Sequence, residues 1–501
     1  MSNSKFVCAS SLVIFGGTGD LTRNKLIPAL CRLKAGKSLP ENFHVIATGR
    51  NKISQTELIN LYRDSIAGKL QSDSVLANGF ELLMPQIHYI HIDPSEDNSI
   101  SEFMQTLKSL EGSGAAPARL FYLALPPDSV SSFLQLVAAP LKLGSCSNCP
   151  SRILVEKPFG NDLESAQLLN RQLLEVARED QIYRIDHYLG KEAIQNILVL
   201  RFANSIFEPL WNRSNIDHIQ ISCAERKGVG TRGAFYDRTG TLRDVVQNHL
   251  LQVLSLIAME PPISHNSENI RIEKQKVLKS LRKLDPESIS KYTIRGRYTT
   301  AENSHEPSYL QEKGVATGST TETFASMKVM IDSWRWSGVP FYLRAGKKLS
   351  ADMTEVAVFF KQPPGNIFRA ESDKNLSNTL TLRIQPDEGI HLSVQTKVPG
   401  MSLKISTEDM DLSFQKSFGL FRPDAYERLL VDALNGDQSL FIGKNEIDAA
   451  WQFIDPIRQA WDSEANFPIF DYIPGSDGPE MAQEMLKQDG RTWKSLSKKH
   501  L

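Results

Sequence analysis

SSLVIFGGTGDLTRNK (10–25) is the stretch on which the fold turns. The apolar run SSLVIF (10–15) reads as a buried first strand and ends at Gly16. Gly16-Gly17-Thr18-Gly19-Asp20-Leu21 then forms a turn. Beyond it, NKLIPALCRLKAG (24–36) spaces Leu26, Ile27, Leu30 and Leu33 as one helical stripe, and Gly36 suits the helix stop. A dinucleotide turn needs glycine where the backbone bends sharply and approaches a pyrophosphate. The helix start then offers free N–H groups and a positive dipole end. The spacing is G-x-x-G rather than the full G-x-G-x-x-G, so a plain turn stays open as an alternative.

The next strand, FHVIATGR (43–50), decides the flavour of nucleotide. NAD sites carry an acid at its end for the ribose 2′-hydroxyl. Here the strand ends Ala47-Thr48-Gly49-Arg50, without one. A guanidinium there can grip a 2′-phosphate in two places and favours NADP. The plain alternative is an exposed surface arginine.

Outward from this unit, ELINLYRDSIAGKL (57–70) reads as an amphipathic helix, and YIHID (89–93), LFYLALPP (120–127) and RILVEKPF (152–159) as strands. Such alternation predicts an α/β Rossmann-type domain with a parallel sheet over 1–190. Past residue 200 the texture changes. LRDVVQNHLLQVLSLIAM (242–259) reads as one long apolar helix. IDHIQISCAE, YTIRGRY, EVAVFFK, TLTLRIQP and IHLSVQTK follow with few helices between them, which predicts a larger α+β domain, 191–501, on a mostly antiparallel sheet. The stretch 301–320 reads as an exposed loop and the last ~20 residues as a mobile tail.

The chain has 501 residues, with 57 basic against 58 acidic, so no global positive field favours nucleic acid or anionic lipid. No run approaches the roughly 20 apolar residues of a membrane helix. Five cysteines, Cys8, Cys31, Cys146, Cys149 and Cys223, make no disulfide framework and point to a reducing cytoplasm. Cys146-x-x-Cys149 has zinc-knuckle spacing but no second pair, and reads as a chance loop pair. Trp334 and Trp336 alternate, so an extended segment sends them to opposite sides.

GGTGDLTRNK (16–25), VEKPFG (155–160), RIDHYLGKE (184–192), DVVQNHLLQ (244–252), WRWSGVPFYLRAGKKL (334–349) and FRPDAYERLLVDALNGDQSLF (421–441) together resemble glucose-6-phosphate dehydrogenase. The matches fall in family order and cover about 12–475. The resemblance implies a homodimer or homotetramer, and NADP-dependent oxidation of D-glucose 6-phosphate to its 1,5-lactone, the entry to the oxidative pentose phosphate pathway. A related dehydrogenase with another sugar or coenzyme preference, and a silent NADP-binding regulator, are the alternatives. Retention of His249, Asp186 and Lys191 argues against the last.

Oxidising a sugar C1 hydroxyl sends a hydride to the nicotinamide and a proton to a general base, for which histidine is suited and no metal is required. His249 falls on the buried stripe of Leu242, Val245, Val246, Leu250, Val253, Leu254 and Ile257, where pattern alone favours a core histidine. The resemblance makes it the base and Asp186 its carboxylate partner. It also makes His187 and Lys191 the phosphate ligands, Glu225, Asp244 and Lys347 substrate contacts, and Lys157 a contact to both coenzyme and substrate. Asp244 and His249 are five apart, about 140° round an ideal α-helix, so they share a pocket only if the helix is distorted. The peptide before Pro158 is a candidate cis bond. One departure stands out. Many relatives place Lys or Arg five residues beyond Lys347, where this chain has Asp352. Either Lys348 supplies the charge, or Asp352 points away, or affinity falls.

Overall fold

The computed structural model describes residues 9–93, 96, 99–111, 118–126, 129–131, 133–134, 151–300, 306–365, 367–368, 377–419, 424–463 and 467–497. Cys8, Cys146 and Cys149 lie outside them; Cys31 and Cys223 are buried. Among the described residues, no helix is long and apolar enough to cross a membrane.

The first unit holds a seven-stranded sheet. Numbered along the chain, its strands are β1 (Ala9–Phe15), β2 (His44–Gly49), β3 (Ile87–His91), β4 (Ala118–Leu123), β5 (Arg152–Glu156), β6 (Ile182–Ile185) and β15 (Phe441–Ile442). Their order is β15-β6-β5-β4-β1-β2-β3. The first six pair in parallel, in the 3-2-1-4-5-6 order of a dinucleotide-binding fold, with its crossover between β1 and β4. Parallel strands covered on both faces must be apolar throughout. Leu12, Val13 and Ile14 of β1 are accordingly fully buried.

The compact units are not contiguous in sequence. The first unit comprises Met1–Gly190 together with Ser264–Arg271 and Arg422–Ile447. The late segment contributes antiparallel β15 and the helix Ala425–Asn435. Leu429, Leu430, Ala433, Leu434 and Phe441 join the core formed by β1, β2 and the helix Ile27–Ala35. Gln438 donates through Nε2 to the carbonyls of Glu179 and Ile182, at 3.1 and 3.0 Å.

The second unit carries nine strands: β7 (Ile216–Ala224), β8 (Thr293–Tyr298), β9 (Phe324–Met330), β10 (Pro340–Gly346), β11 (Met353–Phe360), β12 (Thr379–Gln385), β13 (Gly389–Lys397), β14 (Ile405–Ser413) and β16 (Ile469–Tyr472). Their order is β14-β13-β12-β11-β7-β10-β9-β8-β16. All neighbours are antiparallel except β7–β10 and β8–β16. Trp336 is 1% exposed and Trp334 87%, but residues 334–338 form hydrogen-bonded turns rather than an extended segment, so strand alternation is not the cause; the Arg213 guanidinium lies 5.0 Å from the Trp334 ring centre.

Three expectations fail here. As far as residue 497 the end of the chain is not a loose tail: Glu480–Lys487 is helical, and Trp493 and Leu496 enter the core around Tyr298, Phe324 and Tyr342. Within 306–320, Tyr309 is fully buried and its hydroxyl donates to Asp237 at 2.7 Å, so that stretch is partly core. The segment 242–259 is not one α-helix; Leu242–Leu250 is π-helical and only Leu251–Ala258 is α-helical.

Candidate functional site

In the first unit, the candidate residues gather at the carboxyl ends of the parallel strands, where open α/β sheets bind ligands. Gly16 has φ +92°, and a Cβ there would meet the Ala124 carbonyl oxygen at 2.3 Å. A Cβ on Gly17 would fall 2.6 Å from that of Ala47. Both glycines are therefore demanded by the approach of the turn to β4 and β2. The Gly17 N–H donates to the Thr48 carbonyl at 2.7 Å, the Gly19 N–H to Gly16 at 3.0 Å, and Thr22 Oγ1 to Gly16 at 3.0 Å. Thr18, Asp20 and Leu21 complete the turn, and Asp20 Oδ1 accepts from Asn24 at 2.6 Å. A Cβ built on Gly49 would lie 3.6 Å from Thr18 Oγ1, which brings the end of β2 beside the turn. Arg50 follows, exposed, its carbonyl accepting from His91 Nε2 at 2.9 Å. A cradle closed to side chains at a helix start fits a dinucleotide, and Arg50 stands at the adjoining strand end.

At the end of β5, Lys157 and Pro158 are joined by a cis peptide bond. Glu156, Lys157 and Pro158 line a cavity of about 130 Å³ with Ser131, Val155 and Leu168. At the end of β6, Asp186 is buried and its Oδ1 accepts from the Tyr188 backbone N–H at 2.9 Å. His187 is half-buried, its ring 5.3 Å from that of Tyr188 and edge-on to it.

Glu156 was not signalled by pattern. Tyr122 donates to its Oε1 at 2.5 Å, and Tyr426 donates to the same carboxylate. The carboxyl is raised to about 7, the balance of burial, which pushes it up with Asp186, against the two tyrosines and the Lys157 charge, which pull it down. The signal was present in EKP, but an acid before a lysine reads equally as a surface pair.

In the second unit, Lys191 caps the helix Glu192–Phe202 and donates through Nζ to Gln385 Oε1. Glu225 and Lys347 meet at 2.6 Å, Glu225 Oε2 to Lys347 Nζ. Backbone bonds from the Glu225 N–H to Gly346, 3.0 Å, and from the Leu349 N–H to Glu225, 2.9 Å, fix their strand ends together. The Lys347 ammonium lies 5.6 Å from the ring centre of Tyr236, whose buried hydroxyl is raised by burial and then by Asp244 and other acids. Glu225, Lys347 and Tyr236 thus form one cluster, on which Asp244 acts electrostatically.

His249 is buried on the π-helical segment, and its backbone N–H meets Asn248 Oδ1 at 2.6 Å. A π turn closes on bonds between residues five apart, so Asp244 and His249 lie closer round the axis than in an ideal α-helix. The 140° separation of an ideal α-helix does not apply. The segment's start is pinned by Glu322, whose Oε1 accepts the Leu242 N–H at 2.8 Å.

Asp352 is turned to structure: its Oδ1 accepts the Arg226 backbone N–H at 2.7 Å. Lys348 is not a spare cation either; its Nζ bonds Glu306 and lies 6.0 Å from the Tyr298 ring centre.

Two family models match the chain: the glucose-6-phosphate dehydrogenase NAD binding domain over residues 13–196 and the C-terminal domain over 198–494. A glucose-6-phosphate 1-dehydrogenase of Rhizobium meliloti is 40% identical over 486 residues, covering 96% of each chain. The Treponema pallidum enzyme of that name is 40% identical over 501 residues, covering 98% of this chain and 96% of its own. A solved glucose-6-phosphate dehydrogenase in complex with its substrate glucose-6-phosphate superposes with a TM-score of 0.88 at 33% identity, over 99% of this chain and 100% of the other.

Proposed function

The chain belongs to the glucose-6-phosphate dehydrogenase family and oxidises D-glucose 6-phosphate, and we propose that it does so at C1 with NADP as acceptor. The full-length likeness to enzymes of that activity carries the reaction. The Arg50 position beside the glycine turn supports NADP over NAD. Bound there, the coenzyme supplies the hydride acceptor. Gly16, Gly17, Thr18, Gly19, Asp20 and Leu21 hold its phosphates against the helix start, and Arg50 takes the 2′-phosphate.

The chain's own residues do the rest. His249 Nε2 or Nδ1 takes the C1 hydroxyl proton, with Asp186 as the carboxylate that orients the imidazole and favours its cationic form. His187 and Lys191 neutralise the substrate phosphate. Glu225 and Asp244 accept hydrogen bonds from sugar hydroxyls, while Lys347, already 2.6 Å from Glu225, donates. Lys157 contacts coenzyme and sugar. A homodimer or homotetramer and a cytoplasmic location complete the reading; the first rests on the family and the second on the sparse, odd cysteine set.

The test is absorbance at 340 nm with NADP or NAD, and with glucose 6-phosphate or glucose. A rise that needs both phosphates supports the reaction and the Arg50 assignment together. Equal rates with NAD contradict the Arg50 assignment, and equal rates with glucose contradict the roles of His187 and Lys191.

A further inference from the structure

Glu156 is half-buried at the carboxyl end of β5, and an acid withdrawn from water there is tolerated when donors surround it. Glu156 has two: Tyr122 from β4, at 2.5 Å, and Tyr426 from the helix Ala425–Asn435. The other charged groups acting on it are Lys157, next in sequence, and Asp186 beyond β6, where Glu156 is in register with Ile185. Asp424 and Asp186 act in turn on Tyr426. One carboxylate therefore ties three elements of the first unit together beside Lys157 and shares with it the cavity of about 130 Å³.

We propose that Glu156 is a positioning residue whose ionised form, held by the Tyr122 and Tyr426 hydroxyls, fixes the Lys157 ammonium for the coenzyme. The proposal rests on the reading of Lys157 as a coenzyme contact. Two hydroxyls pointing at one carboxyl suit the anion, which only accepts. The protonated acid is a weaker acceptor for the two hydroxyls and carries no charge, so the attraction to Lys157 is lost. Burial raises this carboxyl to about 7, so the change between the two forms falls in the neutral range.

The experiment is calorimetric binding of NADP to the full chain, without sugar, at about pH 6 and about pH 8. Wild type, Glu156→Gln, Tyr426→Phe and Lys157→Ala are compared. Titration of the 2′-phosphate itself is common to all four. Wild type should lose about tenfold more affinity than Glu156→Gln between the two pH values, one tenfold step per unit of displaced titration. Tyr426→Phe removes a donor to the anion and should move the wild-type midpoint upward by about 0.5–1 pH unit. A merely structural Glu156 would not give that shift, and this arm stands if Glu156→Gln fails to fold. Equal pH dependence in wild type and Glu156→Gln, with Lys157→Ala weak, overturns the proposal alone. Unchanged affinity in Lys157→Ala overturns it together with the coenzyme role of Lys157.

Discussion

His249 shows how one side chain can look ordinary in a sequence and unusual in place. It lies on an apolar stripe and is buried, as a core histidine would be. What separates it is the π-helical segment that carries it, since such segments occur often at functional sites. Replacing His249 by Asn should lower kcat by roughly 10²–10⁴-fold with little change in KM, because the lost interaction is a proton transfer made only in the transition state. Steady-state kinetics with both substrates varied checks this; a kcat near wild type would return His249 to the core. Lys191→Ala should raise KM for the sugar phosphate by tenfold or more, on the order of one charged hydrogen bond, and leave KM for NADP within about twofold. The departure at Asp352 resolves at this scale too. The sequence places an acid where a cation was expected, and only coordinates show it bonded to the Arg226 N–H.

At the scale of the element, the strand–turn–helix at the amino terminus was legible because two constraints coincide there. An apolar run must be buried, and a turn that closes against two strands must be glycine. Gly16→Ala forces φ +92° on an L-residue and drives its Cβ onto the Ala124 carbonyl. It should destabilise by about 2–3 kcal/mol, read by urea unfolding of the full chain, and should weaken NADP binding in parallel. A neutral result would mean the turn is free to rearrange. Other elements were not legible for physical reasons. Fully buried β10 lacks any alternation, so periodicity cannot tell it from a helix fragment. β15 has two residues, too few for a period. The π-helical segment has a normal amphipathic pattern, and its irregularity lies in the backbone. Its start depends on a contact with Glu322, 80 residues away in the chain.

At the scale of the whole molecule, the two-part division was visible in the change of texture near residue 200, but its threading was not. Nothing local in 422–447 says that its helix fills the core beneath the parallel sheet. The four large apolar residues it buries there, Leu429, Leu430, Leu434 and Phe441, contribute about 2 kcal/mol each, a sum comparable to the net stability of a domain. A fragment of residues 1–190 should therefore lack a cooperative thermal transition by circular dichroism. A sharp transition in that fragment would show that the late segment is dispensable. The same threading explains why Tyr426 can reach Glu156, and why a sequence-local reading overlooked that carboxylate.

The central claim is that hydride leaves C1 of glucose 6-phosphate for NADP. The most direct measurement supplies substrate deuterated at C1 and analyses the coenzyme by mass spectrometry after turnover. The account predicts reduced NADP that carries the deuterium, and none formed from deuterated glucose. Reduced coenzyme without the label would contradict it.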